Sequence, residues 1–309
     1  MTRAATARLI KSRSFHLFAL FLFLAGCFTL SKNTVVIHEG ADARLVTRVT
    51  KGLFLTNVRI GDRETGPFLI DTGSSTIILD FELAKGLNLS FRGESYDPVI
   101  KQKVKGARLT SLDVGPMTLQ KIDVVVIDLS NPTNVLGERL AGVLGHPFFA
   151  NAVVEVDYPR GVIASFDPKT YRLPRGDWQP LAFQDKRPII AARLERNIEG
   201  QFILDTGNTS AVSFYSDFTR KHALLDNRKA RKHKELRVDG LHDTLVAQIA
   251  WFEFAGRRFE QPIVQFEPTD TVKGRLELEG VAGVIGRGLL SSFTVVFNYS
   301  QSKIALIPK

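Results

Sequence analysis

The chain repeats itself, and this internal duplication constrains its fold more than any other feature. Residues 66–75 read GPFLIDTGSS, and residues 200–209 read GQFILDTGNT. The two aspartates, Asp71 and Asp205, lie 134 positions apart (205 − 71). Further along, AGVLG at residues 141–145 returns as AGVIG at residues 282–286, now 141 positions later (282 − 141). We therefore expect two homologous lobes, each built around the same turn.

Short runs of β-branched and aromatic residues, with few stretches of helical period, predict a mainly β protein with short helices. Helices are expected near Phe81–Gly86 and Phe214–His222, and each half should end in a hairpin, at Val153–Phe166 and Thr294–Ile307. Proline and glycine between Asp167 and Gln179 indicate the junction of the halves. The expected domains are a signal segment at 1–26, a tether at 27–45, an N-terminal lobe at 46–170 and a C-terminal lobe at 171–309.

The N-terminal segment resembles a bacterial lipoprotein signal. Four basic residues precede an apolar stretch, Phe15–Ala25, and the stretch ends in LAGC at Cys27, the only cysteine of the chain. The resemblance implies that Cys27 is acylated and anchors the protein in the cell envelope. Phe28 is not an aspartate, which in bacteria with two membranes implies the outer membrane, facing the periplasm. The alternative is an ordinary signal peptide or short anchor with an incidental cysteine.

The positive charge of the chain is modest once this segment is set aside. The formal net charge of +9 falls to +5, because residues 1–26 carry four basic residues and no acidic ones. A local basic cluster stands at Arg228, Lys229, Arg231, Lys232, His233, Lys234 and Arg237. No aromatic residues interleave with it, so nucleic-acid binding is not expected. We interpret it as a solvated helical or loop face within a lobe-specific insertion, with contact to anionic lipid or an acidic partner as the alternative.

The duplicated turn carries residue types suited to acid–base catalysis. The candidate site comprises the catalytic pair Asp71 and Asp205, supported by Thr72, Gly73 and Ser74 in one half and Thr206, Gly207 and Asn208 in the other. Two carboxyls held about 3 Å apart cannot both ionise readily, so they share one proton. The ionised member can polarise a water, and the protonated member can donate to a substrate carbonyl. This chemistry requires no metal or cofactor. The alternative is a pair of ordinary turns inherited together.

Both halves together, over residues 50–309, resemble the retropepsin and pepsin superfamily of aspartic proteases. The resemblance rests on the apolar strand, Asp-Thr-Gly-Ser, and the later Gly-Val-Leu-Gly. It implies a bilobal acid-protease fold of two retropepsin-like β-barrel lobes, in which Val143–Gly145 and Val284–Gly286 thread behind the aspartate turns. It also implies an aspartic endopeptidase that binds an extended peptide or protein substrate in the cleft between the lobes. With both aspartates in one chain, we expect a monomer.

The sequence departs from the family pattern in two places. Ser74 supplies the hydroxyl that in the family bonds the catalytic carboxylate, but Asn208 stands at that position in the second half, which implies altered tuning. The hairpin that closes over substrate in the family has candidates at Tyr96–Gly106 and Arg237–Asp243, neither with a distinctive signature.

Other chemistry finds little support in the sequence. His146 follows the first Gly-Val-Leu-Gly, but Arg287 stands there in the second half, so a shared catalytic role is not expected. The six histidines show no metal-binding spacing. Two alternatives to a general endopeptidase remain. One is a non-catalytic, peptide- or envelope-binding lipoprotein on the same scaffold, and the other is a processing protease with few substrates.

Overall fold

The computed structural model describes residues 16–17, 34–37, 43–97, 100–237, 240–267 and 278–309. The described residues form three β-sheets with short helices, so the prediction of a mainly β fold is confirmed. Each of the two larger sheets belongs chiefly to one lobe, and the third sheet joins the lobes.

The first lobe is organised around a sheet in the order β2-β9-β6-β10-β5-β4-β8-β7. The first described element is the short strand β1, His16–Leu17, which pairs in the sheet of the second lobe. The elements of the first lobe are β2 Thr34–Ile37, β3 Thr47–Thr50, β4 Leu53–Ile60, β5 Arg63–Ile70, β6 Ile77–Asp80, α1 Phe81–Gly86, β7 Arg92–Asp97, β8 Gln102–Val114, β9 Met117–Ile127, α2 Ser130–Leu136, β10 Gly142–Leu144, α3 His146–Phe149, β11 Val153–Asp157 and β12 Val162–Phe166. Helix α1 has the predicted bounds and is capped by Asp80, whose side chain accepts a hydrogen bond from the Leu83 amide.

The second lobe has a sheet in the order β1-β18-β19-β22-β17-β23-β16-β15-β20-β21. Its elements are β13 Gln179–Pro180, β14 Ala182–Gln184, β15 Arg187–Leu194, a 3₁₀ turn at Glu195–Asn197, β16 Ile198–Leu204, β17 Val212–Phe214, α4 Ser216–Lys221, β18 Arg231–Arg237, β19 Gly240–Gln248, β20 Trp251–Phe254, β21 Arg257–Glu260, β22 Ile263–Phe266, β23 Val281–Ile285, α5 Arg287–Leu290, β24 Phe293–Asn298, a 3₁₀ turn at Tyr299–Gln301 and β25 Lys303–Pro308.

The sequence repeat is also a repeat of structure. Strands β4 and β15 are displaced by the same 134 positions as the two aspartates, and their residues follow the same order of buried and exposed positions. The hairpin of β18 and β19 in the second lobe takes the place of the hairpin of β7 and β8 in the first. The basic segment Arg231–Arg237 is therefore a strand with a counterpart in the first lobe, and the expected helical or loop insertion is wrong for these residues.

The two lobes are joined by their final hairpins. β11 and β24 pair along their length in antiparallel fashion, from Val153 opposite Asn298 to Asp157 opposite Thr294. The resulting sheet has the order β12-β11-β24-β25-β13. Apolar packing is continuous across this junction, since the rings of Phe149 and Phe297 lie 5.7 Å apart, edge to face. Both predicted hairpins are present, and their pairing holds the lobes in a fixed relation.

Most of the expected signal and tether, Cys27 included, lies outside the described residues. Within the expected tether, Thr34–Ile37 pairs antiparallel with β9 at the edge of the first lobe's sheet. Among the described residues, no helix is long and apolar enough to cross a membrane.

Candidate active site

Each aspartate stands at the end of a buried strand in the middle of its lobe's sheet. β5 ends at Ile70 and β16 ends at Leu204, directly before Asp71 and Asp205. The three residues that close each strand are nearly or fully buried, as expected for a strand covered on both faces. The apolar composition of these strands thus delivers two carboxyls into the interior.

A second strand supports each aspartate turn from behind. β10 runs parallel to β5, and the amide of Asp71 donates to the carbonyl of Leu144 at 3.0 Å. In the other lobe, β23 runs parallel to β16, and the amide of Asp205 donates to Ile285 at 2.9 Å. Glycine is required at Gly145, because a Cβ there would stand 2.1 Å from the carbonyl oxygen of Thr76. The Gly-Val-Leu-Gly repeat therefore lies behind both turns, as the family resemblance implied.

Thr72 and Thr206 lock the two turns together through four buried hydrogen bonds. The Oγ1 of Thr72 donates to the carbonyl of Leu204 at 2.8 Å and accepts from the amide of Thr206 at 3.0 Å. In the reverse direction, the Oγ1 of Thr206 donates to the carbonyl of Ile70 at 2.8 Å and accepts from the amide of Thr72 at 3.1 Å. Every one of these bonds crosses from one lobe to the other, so the threonines fix the turns relative to one another.

The glycines after the threonines act on both carboxyls. Gly73 and Gly207 each donate their amide to Oδ1 of the aspartate two residues earlier, at 2.8 Å. Each also lies against the opposite aspartate. A Cβ on Gly73 would stand 2.6 Å from Oδ2 of Asp205, and a Cβ on Gly207 would stand 2.7 Å from Cγ of Asp71. Side chains larger than hydrogen would therefore drive the carboxyls apart.

The carboxyls of Asp71 and Asp205 are fully buried and interact with one another across the lobe boundary. Two neighbouring buried carboxyls cannot both ionise readily, which favours a state in which one of them holds a proton. Burial raises the pKa of Asp205 well above its usual value of 3.8, and the negative charge of Asp71 raises it further. The Gly207 amide acts in the opposite direction and lowers this pKa. The two groups form one coupled acid–base unit, with a carboxylate acceptor and a carboxylic acid donor side by side.

The residues after the glycines differ from expectation. The hydroxyl of Ser74 donates to the carbonyl of Thr76 at 3.0 Å, so the bond to the catalytic carboxylate implied by the family resemblance is not the one formed. In the other lobe, Oδ1 of Asn208 accepts from the amide of Ser210 at 2.7 Å. Both side chains therefore brace the backbone that follows the turn.

Arg187 belongs to the site and was missed by sequence reasoning. It is fully buried, and its Nε donates to the carbonyl of Gly73 in the other lobe at 3.0 Å. Its Nη1 pairs with Oδ2 of Asp185 at 2.5 Å. The positive charge lowers the pKa of Asp205, against the effect of burial. The repeat offered a signal, since 134 positions earlier stands Leu53, also fully buried, and an arginine in an apolar register needs a polar partner.

The positions after Val-Leu-Gly and Val-Ile-Gly have unlike surroundings in the two lobes. His146 packs against the rings of Phe183 and Tyr299, with centroids 6.2 Å and 5.7 Å away. Burial lowers its pKa from 6.5 to about 4, with a smaller contribution from the charge of Lys186. Its counterpart Arg287 lies beside Gly52, the residue of the first lobe that corresponds to Lys186. The expectation of no shared catalytic role for His146 and Arg287 stays a prediction, and their unlike surroundings agree with it.

Two lobes related by duplication, each contributing one buried aspartate to a pair at their boundary, are the arrangement that the resemblance to the acid-protease class implied. Comparison with family models agrees, because residues 56–148, which include Asp71, match the family described as aspartyl protease. The search among curated proteins found no match. This match lies within the first lobe, and it supports a retropepsin-like aspartyl protease family and a protease-like function.

Proposed function

We propose that this protein is an aspartic endopeptidase that hydrolyses peptide bonds with a water molecule activated between Asp71 and Asp205. The observation that carries the proposal is the pair of fully buried carboxyls at the lobe boundary, each held by a glycine amide and each lying against the glycine of the opposite turn. A fixed donor and a fixed acceptor at one place are what attack on a peptide carbonyl requires.

The reaction divides the work between the two carboxyls. The ionised one accepts a proton from water as the oxygen attacks the carbonyl carbon, while the protonated one donates its proton to the carbonyl oxygen. A tetrahedral diol forms, and its collapse with protonation of the nitrogen releases an amine and a carboxylic acid. The threonine bonds keep the two carboxyls in register through these steps, because they tie the turns across the lobe boundary.

The test is the replacement of each aspartate by asparagine, Asp71→Asn and Asp205→Asn, followed by cleavage of a proteome-derived peptide mixture read by mass spectrometry. Both variants should lose cleavage, whereas Asp62→Asn, at an exposed turn, should retain it. A statine-containing peptide should protect wild type against thermal unfolding. Full cleavage by either site variant would contradict a shared pair. Unaltered binding of peptides without any cleavage by wild type would favour the non-catalytic alternative.

The sequence of the first 27 residues supports a second part of the proposal, that the enzyme is anchored in the cell envelope through acylated Cys27 and acts there on envelope proteins. Metabolic labelling with palmitate should mark wild type and leave Cys27→Ala unlabelled. Comparison of envelope proteins between cells with wild type and cells with Asp71→Asn should reveal a short set of uncleaved substrates. Cytoplasmic recovery of unlabelled wild type would contradict the anchor.

A further inference from the structure

The hairpin of β18 and β19 extends from the second lobe to the first. β19 pairs with β22 inside its own sheet, while β18 on the outer side approaches α2 of the first lobe. The hairpin therefore crosses the boundary between the lobes, where the family resemblance implies that an extended substrate binds. It also occupies the same place in its lobe as the hairpin of β7 and β8 in the other.

The outer edge of β18 already accepts an extended segment. His16 and Leu17 pair with Glu235 and Leu236 in parallel register. These two residues belong to the segment expected to be a signal, and its removal would leave this edge open to another strand. Addition of a strand to a sheet edge is a common mode of peptide recognition, because the backbone supplies the hydrogen bonds and alternate side chains supply the selectivity.

β18 presents positive charge on its exposed positions. Arg231, Lys232 and Lys234 are exposed. Lys234 lies 2.7 Å from Asp243 across the hairpin, but the two side chains are 62% and 66% exposed, so this pair binds weakly. The cations hold the pKa of Asp243 below its usual value, mainly through the hydrogen bond from Lys234, with a smaller effect of Lys232.

The hairpin of β7 and β8 in the first lobe also carries cations. Lys103 and Lys105 on β8 lie 2.8 Å and 3.2 Å from the carboxylate of Glu94 on β7. Helix α2, which β18 approaches, has the sequence SNPTNVL and brings no charge. Glu138, just beyond this helix, is engaged by Arg48 of its own lobe. Helix α2 and Glu138 thus leave the charge of the β18 cations available to a ligand, while Oδ1 of Asp128, just before the helix, accepts from the amide of Ser130.

We propose that the cleft selects acidic segments of protein substrates, bound in extended form along the β18 hairpin, with Lys232 and Lys234 as the selecting residues. Residues two apart on a strand point to the same side at about 7 Å spacing. Acidic side chains at alternate positions of an extended peptide match this spacing. This inference rests on the proposed function, because it concerns which peptides the aspartate pair cleaves.

The test uses the chain expressed with its own N-terminal segment and purified from membranes in detergent. A proteome-derived peptide mixture is cleaved by wild type, by K232Q/K234Q and by the control K85Q/K169Q, which removes the same charge at two other exposed positions. Wild type and control should cleave sites flanked by Asp and Glu above their background frequency. K232Q/K234Q should lose this enrichment, with kcat/KM for acidic peptides lower by about threefold to tenfold and neutral peptides unchanged.

The outcomes separate this inference from the function on which it rests. Cleavage by wild type without acidic enrichment, or enrichment that survives in K232Q/K234Q, overturns the inference and leaves the endopeptidase intact. An absence of all cleavage by wild type overturns both. Anionic lipid is the rival ligand, and binding to vesicles of phosphatidylglycerol, compared with vesicles of phosphatidylcholine, tests it. If K232Q/K234Q lost binding to phosphatidylglycerol but kept the cleavage preference of wild type, the cations would bind lipid and the inference would be overturned.

Discussion

The threonine bonds between the aspartate turns lead to a quantitative prediction for Thr206→Val. Valine has nearly the shape of threonine but lacks the hydroxyl, so packing is retained while two hydrogen bonds are lost. The variant removes the bond to the carbonyl of Ile70 and the bond from the amide of Thr72, at 2.8 Å and 3.1 Å. Both partners are buried in the lobe junction and remain without that partner.

Leaving a buried polar group unsatisfied costs about 1–3 kcal/mol, so the two groups together lower the free energy of unfolding by about 2–6 kcal/mol. That is a large share of the roughly 5–15 kcal/mol typical of a folded protein. Because both bonds cross the lobe boundary, the aspartate turns should also lose their fixed separation. We therefore expect reduced stability and reduced cleavage in the same variant.

Urea denaturation followed by tryptophan fluorescence measures the stability, and cleavage of a peptide identified as a substrate measures the activity. Thr206→Ser keeps the hydroxyl and loses one methyl group, so it should lose only about 1 kcal/mol and stay active. Thr65→Val is the second control, since its hydroxyl donates to Val58 within one lobe at 2.7 Å. If Thr206→Val lost no more stability than Thr65→Val and kept its activity, the inter-lobe bonds would not hold the site together.

Three further predictions concern charge. Asp205→Asn should be inactive but more stable than wild type at neutral pH. Because the pKa of Asp205 is raised in the folded state, wild type loses stability as the pH rises above 3.8, and asparagine has no proton to lose. Equal urea midpoints of the two proteins at pH 7 would contradict this. Arg187→Leu should raise the pKa of Asp205 further and shift the upper limb of the pH–rate profile to higher pH. Arg187→Lys keeps the positive charge, so it should shift the profile less. An unchanged profile in Arg187→Leu would exclude an electrostatic role of Arg187. Wild type should lose stability as the pH falls from 6.5 towards 4, because His146 binds a proton in the unfolded state but not in the folded state, and His146→Phe should abolish this loss. Thermal melts across that pH range measure it. A melting temperature that depends on pH equally in both proteins would contradict the prediction.

Much of the fold could be predicted because each half of the chain repeats the same short residue patterns, and such patterns determine secondary structure locally. Runs of β-branched and aromatic residues indicated the strands, and the first helix has the bounds that were expected of it. The same information placed both aspartates at the ends of buried strands. The basic segment shows where this approach fails. A run of Lys and Arg has no hydrophobic period, so its sequence did not reveal that cross-strand pairing would make Arg231–Arg237 a strand.

The sequence by itself predicted two lobes and the repeated turn, and it singled out the two aspartates of that turn as the candidate pair. Each of these features depends on residues that lie close together in the chain. Only the tertiary structure decided which groups surround the carboxyls. Arg187 reaches the carbonyl of Gly73, 114 positions away, and Ser74 turns from the carboxylate to the carbonyl of Thr76. The pairing of β11 with β24 likewise joins distant segments. Such contacts depend on how the two lobes pack against one another. That packing is determined by the shape of the lobes and by the need of buried polar groups for hydrogen-bond partners, and neither can be predicted from a local sequence pattern.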